Sequence, residues 1–410
     1  MELHQFFLLL AITLIAARAL SETLTRLGAP GVIGELLAGL LIGPSLLGWV
    51  TPDATMKLLA EIGIILLLFE VGMDTNLSRL ARSGSKPYVV AIVGFCLPLL
   101  LGYAASAWLF GLPDLVAWFI GGTLTATSIG ITVRVLDDLG RRQSDEAQIV
   151  IGAAVLDDIF GVLALAFLYQ FAVQHEVSAH GVLEVAAYIV LFMLLAPIAA
   201  KLAAWGIERL ETGAAPGLLL TMALSLILLF SWLAHAVGAP EIMGGFAAGL
   251  AFSQYFGLRL PGLKLNPSPA LAHRLEEQMR PLIHTFTPLF FVMVGVSLDL
   301  KAVNWGSTFV WLLAASLLLI AFLGKFVAGY FIRESRRNQA AIGLSMIPRG
   351  EVGLIFAQLG FNQAILDRDI YAALLIVVAL TTLAPPLLLK WFYRTPPRIT
   401  QGGGSPPAVD

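Results

Sequence analysis

The chain alternates long apolar runs with short polar connections, and the runs recur on the scale of a bilayer. Thirteen of them, each close to the roughly 17–25 residues that a helix needs to cross a hydrocarbon core, cover 5–26, 30–48, 56–73, 87–110, 114–136, 147–172, 181–205, 216–237, 239–257, 278–298, 307–332, 338–361 and 369–393. Two runs carry helix-breaking chemistry at their centres. The fifth contains "TATSIGIT" (Thr125–Thr132), rich in residues that compete with the helical ladder. The twelfth contains "MIPRGEVG" (Met346–Gly353), where Pro348 lacks an N–H and disfavours helix in the residue before it. Both spans are expected to be broken near the midplane.

Composition agrees with a membrane setting. Of 410 residues, 58% are hydrophobic and 13% charged, against about 45–50% and about 25% in a soluble protein. Nineteen of the 25 Lys and Arg lie on alternate connections, from Arg18 and Arg26 to Arg394 and Arg398. The positive-inside rule then places the C-terminus in the cytoplasm and the N-terminus outside, which an odd number of spans requires. The expected location is the inner cell membrane. These basic residues form short clusters between apolar runs, and no nucleic-acid partner is expected. The start "MELHQ" has no basic segment, so the first run reads as a retained span. One cysteine, Cys96, excludes a disulfide framework. The Gly- and Pro-rich tail 397–410 is expected to be disordered.

The chain also repeats itself. "APGVIGELLAGL" (29–40) returns as "APEIMGGFAAGL" (239–250), "FEVGMDTNL" (69–77) as "VMVGVSLDL" (292–300), and "SIGITVRVLDDLG" (128–140) as "PRGEVGLIFAQLG" (348–360). The order is kept, pairing spans 1–6 with spans 8–13 and leaving span 7 as a connector. The second copy therefore sits upside down, as in secondary transporters whose sites lie at broken helices near the midplane. Free backbone groups at such breaks are tolerable only beside a polar or water-filled site, which would make Thr127, Ser128, Arg349 and Glu351 site-facing.

"AAVLDDIFGVLALAF" (153–167) sets two acids in an apolar helix, although one Asp at a helix centre costs about 2.5–3.5 kcal/mol on insertion scales. Asp157 and Asp158 point about 100° apart on a helix and cannot easily share a partner. Lys325, a lone cation in "LLIAFLGKFVAGYF", is the natural partner for one of them. Desolvation would leave the other poised to carry a proton or a small hard cation, with Thr127, Ser128 and free carbonyls as further oxygen ligands. One carboxylate exchanging H⁺ for Na⁺, Li⁺ or K⁺ suffices for antiport. An aspartyl protease fits poorly, because its two acids face each other from separate helices. A cation channel or sensor on the same scaffold remains an alternative. No cofactor is implied.

Together "VIGELLAG", "ATSIGIT", "GAAVLDDIFG", "FLGKFVAGY" and "PRGEVGLIFAQLG" resemble the bacterial NapA-like sodium/proton antiporters, within the monovalent cation:proton antiporter group that includes the Kef potassium exporters. The resemblance covers essentially all thirteen spans. It implies an all-α elevator-type fold, with two inverted repeats of six spans and crossed broken helices, and a homodimer. It also implies that Asp158 binds the transported cation while Asp157 pairs with Lys325. The chain would divide into a dimerisation scaffold (1–80 and 213–304), an ion-transport core (81–177 and 305–396) and a linker helix (178–212). Expected function is exchange of a monovalent cation, Na⁺ foremost, for protons, and electrogenic; electroneutral potassium/proton exchange is the alternative. Two departures stand out. Glu70 is an additional acid within span 3, read as part of an ion path. A cytosolic nucleotide-binding domain like that of the Kef exporters is not expected to follow the spans. Glu35 reads as a gate or as a partner for the broken backbone, Arg134 as a snorkelling Arg beside Asp137 and Asp138, and Arg349 with Glu351 as a pair bracing the crossover.

Overall fold

The computed structural model describes residues 3–51, 53–74, 83–174, 179–211, 217–253, 258–260, 263–265 and 269–394. Helix α1 (Leu3–Arg26), α2 (Gly31–Ile42) and α3 (Ala54–Asp74) are followed by α4 (Lys86–Ala104), which runs into a π-turn at Ala105–Leu109. The fifth expected span is two half-helices, α5 (Asp114–Thr123) and α6 (Ile129–Asp138). Next come α7 (Asp145–Gln174), α8 (Ala179–Glu211), α9 (Leu218–Ala236), α10 (Glu241–Phe252), α11 (Pro269–Ser297) and α12 (Thr308–Ala328). The twelfth span is again two half-helices, α13 (Arg336–Ser345) and α14 (Glu351–Asn362), before α15 (Arg368–Arg394). Eight helices among the described residues are individually long and apolar enough to span a bilayer.

Three local expectations change. The span expected at 30–48 ends at Ile42, where Gly43 takes an extended backbone, and the one expected at 239–257 ends at Phe252, with Ser253 extended. A short antiparallel ladder, β1 (Leu258–Leu260) on β2 (Leu263–Leu265), adds strands to a chain read as wholly helical. The tail expected to be disordered lies outside the described residues.

The repeat shows in how helices touch. Gly34 lets α2 lie on the backbone of Leu20 and Ser21 in α1; Gly244 does the same for α10 on Phe230 and Ser231 in α9. Each pair is the other shifted by the repeat offset. Across the copies, Gly39 of α2 meets Gly295 of α11, while Gly249 of α10 meets Gly72 of α3. At Gly39 an added Cβ would strike the Val292 carbonyl oxygen, and at Gly72 that of Phe246. Small residues allow this backbone-to-backbone approach, where dispersion and not water release holds the helices. One packed group thus comprises α1, α2, α3, α9, α10 and α11.

A second group joins α4 to α5, α7 and α12, α12 to α15, and α5 to α14. Here Gly324 of α12 closes on Pro98 of α4. At the rim, Lys86 donates to Glu334 at 2.7 Å and holds that loop carboxyl below the ordinary range.

Candidate ion-binding site

The two half-helix pairs cross, and the crossing is built from hydrogen bonds between them. Ser128 caps α6 through its hydroxyl, which accepts from the Ile131 N–H, while its own N–H donates to the Pro348 carbonyl at 2.8 Å. Thr127 Oγ1 donates to Met346 O at 3.2 Å, and Thr132 Oγ1 to Ser345 O at 2.8 Å. These hydroxyls satisfy carbonyls that the end of α13 leaves without helical partners. Gly350 passes so close to Ser128 that a Cβ there would overlap its side chain.

Arg349 is fully buried at the centre of this crossing. Its Nη1 donates to Ala126 O at 2.6 Å and its Nη2 to Ala321 O at 3.4 Å, tying both broken spans to α12. The brace is therefore guanidinium to carbonyl. For the Arg349–Glu351 pair expected from sequence, the Glu351 side chain lies outside the described residues. Helix α15 completes the support: Thr381 O accepts from the Arg349 N–H, and the single Thr382 hydroxyl hydrogen is shared between Arg349 O at 2.9 Å and Val378 O of its own helix at 2.7 Å.

Helix α7 packs against all four half-helices, and it carries both acids. Asp157 is fully buried, and its carboxylate accepts from Lys325 Nζ at 2.8 and 3.0 Å. Lys325 is equally buried, and Gly94 of α4 leaves room for its stem. Such a pair recovers in attraction and hydrogen bonding much of what its desolvation costs. Asp158 is 5% exposed on the same helix and adds to the electrostatic field at Lys325. The site therefore brings a buried ion pair and a second carboxylate together beside the hydrogen-bonded crossing of the half-helices.

The other acids read from sequence lie elsewhere. Glu70 has its carboxylate 3.3 Å from Arg142 Nη1, and Arg142 also reaches Asp74 at 3.2 Å and Asp137 at 3.7 Å. Glu35 is met by Ser21 Oγ at 3.4 Å and by Arg134 at 3.7 Å, not by the broken-helix backbone. Arg134 keeps one expected local partner, Asp138, at 3.7 Å. Sequence reasoning missed Arg142, Thr381 and Thr382. Arg142 read only as one of a loop's basic residues, and threonines within an apolar span carried no signal.

Residues 9–394 match the model of the sodium/hydrogen exchanger transmembrane family. The chain belongs to this family. Among sodium/hydrogen exchanger relatives, it is 34% identical to the high-affinity Na⁺/H⁺ antiporter NhaS3 of Synechocystis, covering 90% of this chain and 85% of that one. It is 32% identical to the Na⁺/H⁺-K⁺ antiporter GerN of Bacillus cereus, covering 91% and 92%. The fold matches that of the sodium proton antiporter MjNhaP1 from Methanocaldococcus jannaschii, with a TM-score of 0.68 at 19% identity over 96% of this chain and 98% of that one. The chain is thus an all-α, multi-pass membrane protein with the elevator-type antiporter fold. It is a secondary transporter that exchanges a monovalent cation for protons, and not an enzyme.

Proposed function

We propose that the exchanged cation is Na⁺, bound at Asp158 and competing there with a proton, and that exchange is electrogenic. The observation that carries this reading is the buried Lys325–Asp157 pair one residue from Asp158, on the helix that touches all four half-helices. A cation arriving at Asp158 competes with Lys325 for the field of both acids. Drawing Asp157 away leaves the buried ammonium without its counter-charge, which favours its neutral form. Two protons then leave for each cation bound. Thr127, Ser128 and neighbouring carbonyls supply further oxygens, and Arg349 with Glu351 supports the crossover.

In this reading the group α4–α7 and α12–α15 is the core that slides, and α1–α3 with α9–α11 is the scaffold that stays, joined by α8. The scaffold forms a homodimer; the outward face of α1, with Phe7, Leu8 and Ile15 exposed, is available for it. The protein lies in the inner membrane with its N-terminus outside. Asp158→Asn is expected to abolish cation-linked proton movement while the protein still inserts. A matrix of Na⁺, Li⁺ and K⁺ against pH in proteoliposomes tests both site and ion. K⁺ belongs in it because GerN carries that ion in its name. Wild-type exchange in Asp158→Asn would overturn the site assignment, and K⁺ preference would overturn the sodium assignment.

A further inference from the structure

Two arginine junctions join helices of the proposed core to helices of the proposed scaffold, and both lie on the arginine-rich side of the molecule. At one, Arg134 of α6 stands between Glu35 of α2 and Asp138 on its own helix, and Asp138 in turn accepts from the Gly31 N–H at the start of α2 at 3.1 Å. At the other, Arg142, in the connection from α6 to α7, faces Glu70 and Asp74 of α3 together with Asp137. Gln143 adds a bond to the Asp74 carbonyl at 3.3 Å. Between the junctions the contact is apolar: Ile131 and Val135 of α6 share one buried cluster with Ile33, Ile64 and Leu67.

We infer that Arg134 and Arg142 are positioning residues of the exchange cycle, forming with Glu35, Glu70 and Asp74 a two-point ionic latch. It clamps core to scaffold on the arginine-rich side and must release before the cation site opens there. The arrangement suits release. Arg134 Nε and the Nε and Nη2 of Arg142 are buried near carboxylates without hydrogen-bond geometry, so the attraction is chiefly coulombic and parts without unpicking a ladder. An optimal bidentate pair would be harder to open. The latch is also coupled to the site. Its helix, α6, carries the Ser128 and Thr132 contacts of the crossover, and Arg142 lies three residues before α7, which bears Asp157 and Asp158. Glu70 thereby gains a role other than lining an ion path.

This inference rests on the alternating-access reading, and its test is separable from that of the site. Asp158→Asn removes exchange altogether, whereas latch variants retain it with altered sidedness. In proteoliposomes of sorted orientation, Arg142→Gln is expected to lower KM for Na⁺ on the arginine-rich side and raise it on the other. The ratio of the two should change on the order of fivefold, because opposite shifts are what a population change produces. Arg142→Lys, which keeps the charge, should restore most of the ratio. If Arg142→Gln does not accumulate in the membrane, Glu70→Gln removes the opposing charge and reads the same ratio. In a Cys96→Ala background, Val135→Cys should react faster with an impermeant thiol reagent from the arginine-rich side once Arg142 is replaced by Gln. A fall in turnover from both sides with an unchanged KM ratio, or thiol labelling that ignores the Arg142 substitution, overturns the latch.

Discussion

Lys325 and Asp157 are each fully buried, so the removal of either strands the other's charge in a dry environment. Breaking such a pair costs about 3–5 kcal/mol, while replacing both members is close to neutral. Lys325→Gln is therefore expected to lower the thermal midpoint of the purified protein sharply. Adding Asp157→Asn should recover most of the loss, measured as a double-mutant cycle by scanning fluorimetry. The pairing was legible because a lone Lys and two adjacent acids in apolar runs have few other outlets. Arg142 was not legible. A loop arginine beside Arg141 carries the same sequence signal whether it faces water or, as here, three carboxylates.

Among the elements, the break between α13 and α14 depends on α15 as much as on Pro348. Thr382 shares its hydroxyl hydrogen between the Arg349 carbonyl and Val378 O of its own turn, and the Thr381 carbonyl accepts from the Arg349 N–H. Thr382→Val keeps the shape and removes the donor, leaving a buried carbonyl less well satisfied at a cost of about 1–3 kcal/mol. Reduced stability and a raised KM for the cation are expected, with Thr382→Ser close to the parent protein in a transport assay. Both broken spans could be located from Pro348, the Ser/Thr run and the repeat that places them in register. The support from α15 could not, because a threonine in an apolar helix bonds its own preceding turn in any setting, as Thr381 does to Val377. The ladder at 258–265 was likewise hidden, since "LRLPGLKL" reads as a charged connection between apolar runs.

For the whole molecule, the electrogenic reading predicts a response to voltage. With a sodium gradient as driver and no proton gradient, the exchange rate in proteoliposomes should follow the sign and size of a potential set by potassium diffusion. Indifference to that potential would leave Lys325 as a brace and the exchange one-for-one. The repeated architecture was readable from three weak sequence matches because their order was kept. The glycine crossings then give it physical form: Gly39–Gly295 and Gly72–Gly249 bring helix backbones together without side chains between them. Nothing compressible lies at those two points. When a bilayer thins or thickens, helices ordinarily accommodate by tilting, at fractions of a kcal/mol per Å, and these crossings resist that adjustment. The deformation is then expected at the seam beside α6, where side chains and not backbones meet, the surface along which the core is proposed to move. Acyl-chain length is then expected to act as a mechanical load on the transport stroke, so that exchange rate in proteoliposomes should change with lipid thickness.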